Sequence, residues 1–298
     1  MPHASQIKRL ISSRTRIAVV FLGSLFLNLE VLRLSSLANS SFPALAQAPD
    51  LLELKAVAVR LNQQGIRQSQ KSDYQNAFAS FQQALVIYRK IGALYGEGDV
   101  LNNIGFIYSK LGEYIKALEH YQQALANYKK FSNRKGEGIT LNNIGFIYFS
   151  MGEYTKALEY YQQALAIRKE VDDRSGEGIT LNNIGFIYFS VGEYAKALEY
   201  YQQALAIRKE VDDRSGEGES LNNIGLVYFS MGEYTKALEY YQQALAIRKE
   251  VDDRSGEGIT LNNIGFIYFS VGEYAKALEY YQQALAIRKE VDDRSGEG

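Results

Sequence analysis

The 298-residue chain has no cysteine, so it can form no disulfide, no zinc–thiolate site and no thiol nucleophile. The absence also suits an oxidising compartment. Histidine is nearly missing too. His3 and His120 are far apart in sequence, and a surface position is expected for His120, so no serine–histidine–acid triad is in prospect. Gly136-Glu-Gly138 lacks the G-x-x-x-x-G-K pattern of a phosphate loop. Asp172-Asp173 with Glu177 lacks the alternating ligand spacing of a calcium loop, which leaves helix capping and solvation for these acids. No metal, no cofactor and no catalysis are expected.

Clustered positive charge is also absent from most of the chain. There are 33 basic and 34 acidic residues, a net of −1. Residues 1–46 carry five basic residues against Glu30 alone, a net of +4, which leaves −5 for the remainder. A mildly acidic body without a basic stripe argues against nucleic acid, whose phosphates need clustered lysine and arginine.

Residues 1–46 read as an address. Lys8, Arg9, Arg14 and Arg16 precede an apolar stretch, Ile17–Leu27, that is too short to span a bilayer comfortably. Ala44-Leu45-Ala46 offers the small-x-small pattern of signal-peptide cleavage, with Gln47 as the new N-terminus. Glu30 and Arg33 make the stretch before that site long and partly polar. The competing reading is therefore an uncleaved anchor over residues 17–34, the one case in which a membrane would be a partner. Export to a periplasmic, lumenal or extracellular space is the first expectation.

What the chain does have is repetition. Hydrophobic residues make up 46% of it, ample for a core. After a short lead-in helix over 47–57, six modules of 40 residues follow: 58–97, 98–137, 138–177, 178–217, 218–257 and 258–297. Module 178–217 recurs letter for letter at 258–297, and 138–177 differs from it only at Met151/Val191 and Thr155/Ala195. Within a module the apolar period is helical. Leu141, Ile144, Ile147, Tyr148 and Met151 share one face of a first helix, and Gly152-Glu153 is a turn. In a second helix Ala157, Leu158, Tyr161, Ala164 and Leu165 face inward. Lys156, Glu159, Gln162, Lys169 and Glu170 face out. Gly145 and Ala157 let the two backbones approach closely. One such hairpin cannot bury its apolar faces alone, so the modules must stack.

The spacing Leu141, Ile144, Gly145, Tyr148, Ala157, Tyr161, Ala164 resembles the tetratricopeptide-repeat pattern, over residues 58–298. The resemblance implies an all-α fold, a right-handed superhelical solenoid of antiparallel helix pairs. Lys169 stands where the family's usual proline ends the second helix, so that helix is expected to run through Lys169 or Glu170. The connection Val171–Gly178 reads as longer than usual, with Asp172 or Asp173 capping the next helix. This 40-residue variant resembles the repeats of kinesin light chains and spindle-orientation adaptors. Gly176 and Gly178 would serve either close packing or a kink. In the first module Gln64, Gln68 and Ser72 replace the apolar, tyrosine and glycine positions, as in a capping repeat.

The strip opposite Leu141 and Tyr148 holds Asn142, Phe146, Phe149 and Ser150. The resemblance implies that this side lines a concave groove for protein or extended peptide ligands, with asparagines bonding a peptide backbone and phenylalanines forming pockets. The matching asparagine pairs are Asn102–Asn103, Asn142–Asn143, Asn182–Asn183, Asn222–Asn223 and Asn262–Asn263. The apolar positions are Phe106, Phe146, Phe149, Phe186, Phe189, Leu226, Phe229, Phe266 and Phe269. The alternative is that the asparagines tie neighbouring helices together and the phenylalanines pack against the adjacent module. The groove reads as uncharged, without the basic pairs that clamp a C-terminal carboxylate. The expected function is a non-catalytic interaction scaffold. A second reading makes the array the sensor part of a longer protein with a C-terminal effector such as a caspase-like peptidase domain. Self-association through an uncapped C-terminal face is a third expectation.

Overall fold

The computed structural model describes the backbone of residues 50–296 and the side chains through Val291. The signal or anchor segment lies outside the described residues. Twelve helices and no strand occur among those described. They are α1 (Leu51–Gln70), α2 (Tyr74–Lys90), α3 (Leu94–Lys110), α4 (Tyr114–Lys130), α5 (Arg134–Ser150) and α6 (Tyr154–Glu170). Then follow α7 (Arg174–Ser190), α8 (Tyr194–Glu210), α9 (Arg214–Ser230), α10 (Tyr234–Glu250), α11 (Arg254–Ser270) and α12 (Tyr274–Gly296). Odd-numbered helices are the first, and even-numbered the second, of six antiparallel pairs, and each pair packs only on its neighbours. The result is a solenoid. Residues 51–57 form the first turns of α1, continuous with the opening module.

Every connection between helices is three residues long, and its middle residue has positive φ. Within pairs that residue is usually glycine, as at Gly152 (φ 78°) and Gly192 (φ 79°). The Gly152 N–H donates to Phe149 O (2.9 Å) and the Glu153 N–H to Tyr148 O (2.9 Å), the doubled closure that satisfies the last carbonyls of a helix. Between pairs the same conformation falls on Asp172, Asp212 and Asp252, a residue type that tolerates it.

The long connection expected over Val171–Gly178 is therefore corrected. Only residues 171–173 turn, because Asp173 caps α7 by accepting the Gly176 N–H (3.2 Å), a contribution of about 1 kcal/mol. The additional residues lengthen the helices to 17 residues instead. Gly176 and Gly178 lie among the first five residues of α7, where they allow close packing. A Cβ on Gly176 would fall 2.2 Å from Asp173 Oδ2 and 2.3 Å from Arg168 Nη1.

The core is a row of repeated clusters. Ala157 and Tyr161 of α6 pack on Ile184 and Ile187 of α7, while Leu141 of α5 packs within its own pair on Ala164 and Ile167. Tyr161 joins both levels, since a Cβ on Gly145 would lie 2.8 Å from its ring. Met151, expected on the apolar face, is exposed because it closes α5 at the turn. Arg168, Arg208 and Arg248 are buried at the junctions. The Arg208 Nη1 donates to Gly216 O (2.5 Å) and Ser220 Oγ (2.8 Å) of the following helix. Gln64 is exposed where Ile144 is buried, since no described helix precedes α1 to cover it. At the other end Leu278 and Leu285 are exposed, whereas Leu238 and Leu245 pack against the next pair.

Candidate functional site

The first helices present one face to solvent along the array. At 100° per residue, Ile139, Asn143, Phe146 and Ser150 fall on that face in α5. Phe146, Phe186 and Phe266 are 47%, 39% and 47% exposed, large values for phenylalanine. Ile139, Ile179 and Ile259 are exposed beside them, which the sequence reading overlooked. The half-buried Phe149 ring lies 5.1 Å from Phe186, and Phe229 lies 5.1 Å from Phe266, so aromatic contact bridges adjacent pairs. Leu226 interrupts the series between those two clusters. Phe106 at the N-terminal side sits under Lys110 Nζ at 5.2 Å, and Phe269 at the far side is exposed. Phe189 stacks at 6.3 Å on Phe186.

The paired asparagines divide their work. Asn142, Asn182 and Asn222 are buried, and Asn102 is half-buried. Asn142 Oδ1 accepts from Thr180 Oγ1 (3.2 Å) and from Asn183 Nδ2 (3.1 Å) of the next first helix. Asn223 Nδ2 donates to Asn182 Oδ1 (3.0 Å), Asn263 Nδ2 to Asn222 Oδ1 (3.1 Å) and Asn143 Nδ2 to Asn102 Oδ1 (3.3 Å). Asn103 extends this ladder to Asn62 (3.0 Å). Asn102, Asn142, Asn182 and Asn222 thus tie neighbouring repeats together. Among these first asparagines Asn262 alone is exposed, because no described first helix follows to cover it. The second asparagines are half-buried and use one donor each in the ladder, which leaves the rest of each amide outside it.

The face opens into a cleft of about 190 Å³ across three first helices. Phe146 and Phe149 of α5, Asn183 and Phe186 of α7, and Glu219 and Asn223 of α9 line it, with Tyr161 beneath. The expectation of an uncharged groove is corrected here: the Glu219 carboxylate is part of the cleft. Its Oε2 accepts from Arg208 Nη2 (2.8 Å) and its Oε1 from Asn182 Nδ2 (3.2 Å). The signal was in the sequence, since module 218–257 differs from 138–177 only at Glu219, Ser220, Leu226 and Val227.

Elsewhere the ionisable groups serve structure. Arg174 Nε and Nη2 donate to Glu210 (2.9 and 2.5 Å), and Arg174 Nη1 donates to the buried Glu177 (2.5 Å). Burial lowers the pKa of Arg168 and Arg248, against the opposing pull of Asp173 and Asp253 respectively. His120 is half-buried, not on the surface. It stacks on Tyr108 at 5.3 Å in the slot that Tyr160 fills against Tyr148, and burial pushes its imidazole below the usual value.

A tetratricopeptide-repeat family model matches residues 61–130, 137–210 and 217–290. A comparison with curated proteins gives no match. Among solved structures, BtubC (BKLC) from P. vanneervenii is 21% identical with a TM-score of 0.61, over 82% of this chain and 93% of its own. A putative kinesin light chain from Podosopora anserina, with nearly identical TPR-like repeats, is 18% identical with a TM-score of 0.52, over 64% of this chain and 94% of its own. The Rap conjugation gene regulator of the plasmid pLS20, solved in complex with a peptide, is 15% identical with a TM-score of 0.59, over 92% and 86%. At these identities the likeness establishes the fold.

Proposed function

The chain belongs to the tetratricopeptide-repeat family, and from that premise we propose that it is a non-catalytic scaffold whose first-helix face holds extended peptide segments of protein partners. The observation that carries this reading is the cleft across α5, α7 and α9, where exposed aromatic rings alternate with amides not fully used by the fold. Aromatic side chains supply contact area at small entropic cost, and amides can bond a peptide backbone whatever its sequence. Repetition adds reach. Near-identical modules offer near-identical subsites, and a long ligand bound at several of them gains by effective concentration. The pLS20 regulator, a protein of similar fold, was solved in complex with a peptide, which supports the reading.

The test is photocrosslinking. With p-benzoylphenylalanine in place of Phe186, irradiation with a library of random nonapeptides should give adducts; in place of Gln162, on the outer side of α6, it should give none. Equal yields at the two positions would sink the proposal.

Export is the second element of this reading, supported by the charge and apolar pattern of residues 1–46. Protein isolated from its source should then weigh less than the 33.6 kDa of the whole chain by the mass of those residues. The full mass would favour the retained anchor.

A further inference from the structure

We propose that the cleft between α5, α7 and α9 is a cation subsite, taking the lysine or arginine side chain of an extended peptide. This rests on the groove reading above and adds a register to it, because of the four near-identical modules only 218–257 carries a carboxylate at this position, and the matching Asp99 of α3 is already bonded by the Tyr128 hydroxyl (2.7 Å).

The argument begins with the repeats. Ile139, Ile179 and Ile259 occupy the position that Glu219 takes in α9. The other three changes in that helix, Thr140 to Ser220, Phe146 to Leu226 and Ile147 to Val227 between corresponding positions, all shorten the side chain. The fourth introduces a charge that pairs with Arg208 but has no counterpart at the junctions of Arg168 and Arg248. Two junctions also bring the buried arginine near the aspartate that caps the next helix: Arg208 Nε lies 3.9 Å from Asp213, and Arg248 Nε lies 3.8 Å from Asp253. Arg168 and Arg248 are buried beside isoleucine at the corresponding position, so a junction tolerates having no glutamate there. Glu219 is thus one negative charge more than the junctions of Arg168 and Arg248 carry.

The carboxylate is also placed for a ligand. Its side chain is half exposed, and the bonds from Arg208 and Asn182 hold it in one orientation while leaving acceptor capacity on both oxygens. Phe146, Phe149 and Phe186 supply the walls, and aromatic faces attract ammonium and guanidinium groups. An acidic ligand group would be repelled here. A neutral aliphatic one would strip water from the carboxylate without replacing its hydrogen bonds. A basic side chain satisfies the carboxylate with its head and packs its methylenes on the rings.

Three fluorescent nonapeptide libraries, random except for a central lysine, norleucine or glutamate, would be applied to the immobilised full chain, to Glu219→Ile and to Phe186→Ala. The isoleucine variant reproduces what three sister modules carry and should fold. The native chain is expected to retain the lysine library over the norleucine library by about tenfold, as a charge-assisted contact at a half-exposed site allows, and less as salt is raised. Glu219→Ile should abolish that preference without abolishing retention. Equal retention of lysine and norleucine by the native chain, with loss of both in Phe186→Ala, would overturn the cation subsite while the groove reading stands. Retention of no library, or retention unaffected by Phe186→Ala, would overturn both.

Discussion

Tyr201→Ala is expected to destabilise the array by about 3–5 kcal/mol, the range for removing a buried aromatic side chain. The ring is 1% exposed, packs with Ala197, Ile224 and Val227, and fills the space left by Gly185, where a Cβ would sit 2.8 Å from it. Its hydroxyl is buried without a hydrogen-bond partner, so Tyr201→Phe should cost less than about 1 kcal/mol. Urea unfolding followed by circular dichroism measures both. Because each pair leans only on its neighbours, the alanine variant should unfold in a broadened transition, its C-terminal repeats no longer coupled to the N-terminal ones. A companion measurement probes the glycine. Gly185→Ala should cost stability in the native background and much less in Tyr201→Ala, where the ring it strikes is gone. A loss under about 1 kcal/mol for Tyr201→Ala would contradict the packing described.

The second large effect separates binding from folding on one helix. Phe186→Ala removes a ring that is 39% exposed in the cleft and should lower peptide affinity by roughly 30-fold, the scale of a binding hot spot, with little change in stability. Asn182→Ala should do the reverse. Its Oδ1 accepts from Asn223 and its Nδ2 donates to Glu219, so the variant loses about 1–3 kcal/mol of stability while affinity for a peptide without basic residues stays within a few-fold. Titration of one fluorescent nonapeptide alongside urea unfolding gives both quantities for each variant. If Asn182→Ala lost affinity with stability intact, the assignment of the buried asparagines to the repeat-to-repeat ladder would be wrong.

The fold was legible because helical period and module period are both one-dimensional patterns. Leu141, Ile144 and Ile147 declare a face, and the 40-residue recurrence declares stacking. The site was legible only in part. Asn142 and Asn143 sit about 100° apart on one helix, and which of them meets the neighbouring repeat depends on how successive pairs rotate against each other, which no local pattern encodes. Val171–Gly178 looked like a loop because it is polar and glycine-rich, yet Asp173 starts a helix inside it and its glycines meet side chains. His120 looked like a surface residue because its partner, Tyr108, comes from the preceding helix. Glu219 was hidden for a different reason: the consensus of the modules has isoleucine at that position, and a departure in one module leaves the period unchanged.

The near identity of α6, α8 and α10 has a consequence for how such a chain changes over generations. These helices differ only at Thr155, Ala195 and Thr235, so the surface each offers to the following first helix is the same. Unequal recombination between modules can therefore excise or add a 40-residue unit without creating a junction the protein has not already made. The array can lengthen or shorten its binding face in whole steps while stability per unit stays constant. A charge such as Glu219 then acts as a landmark: slippage on either side of it moves its distance to the ends of the array in increments of one module, which retunes the spacing of a ligand's basic residue without altering any contact.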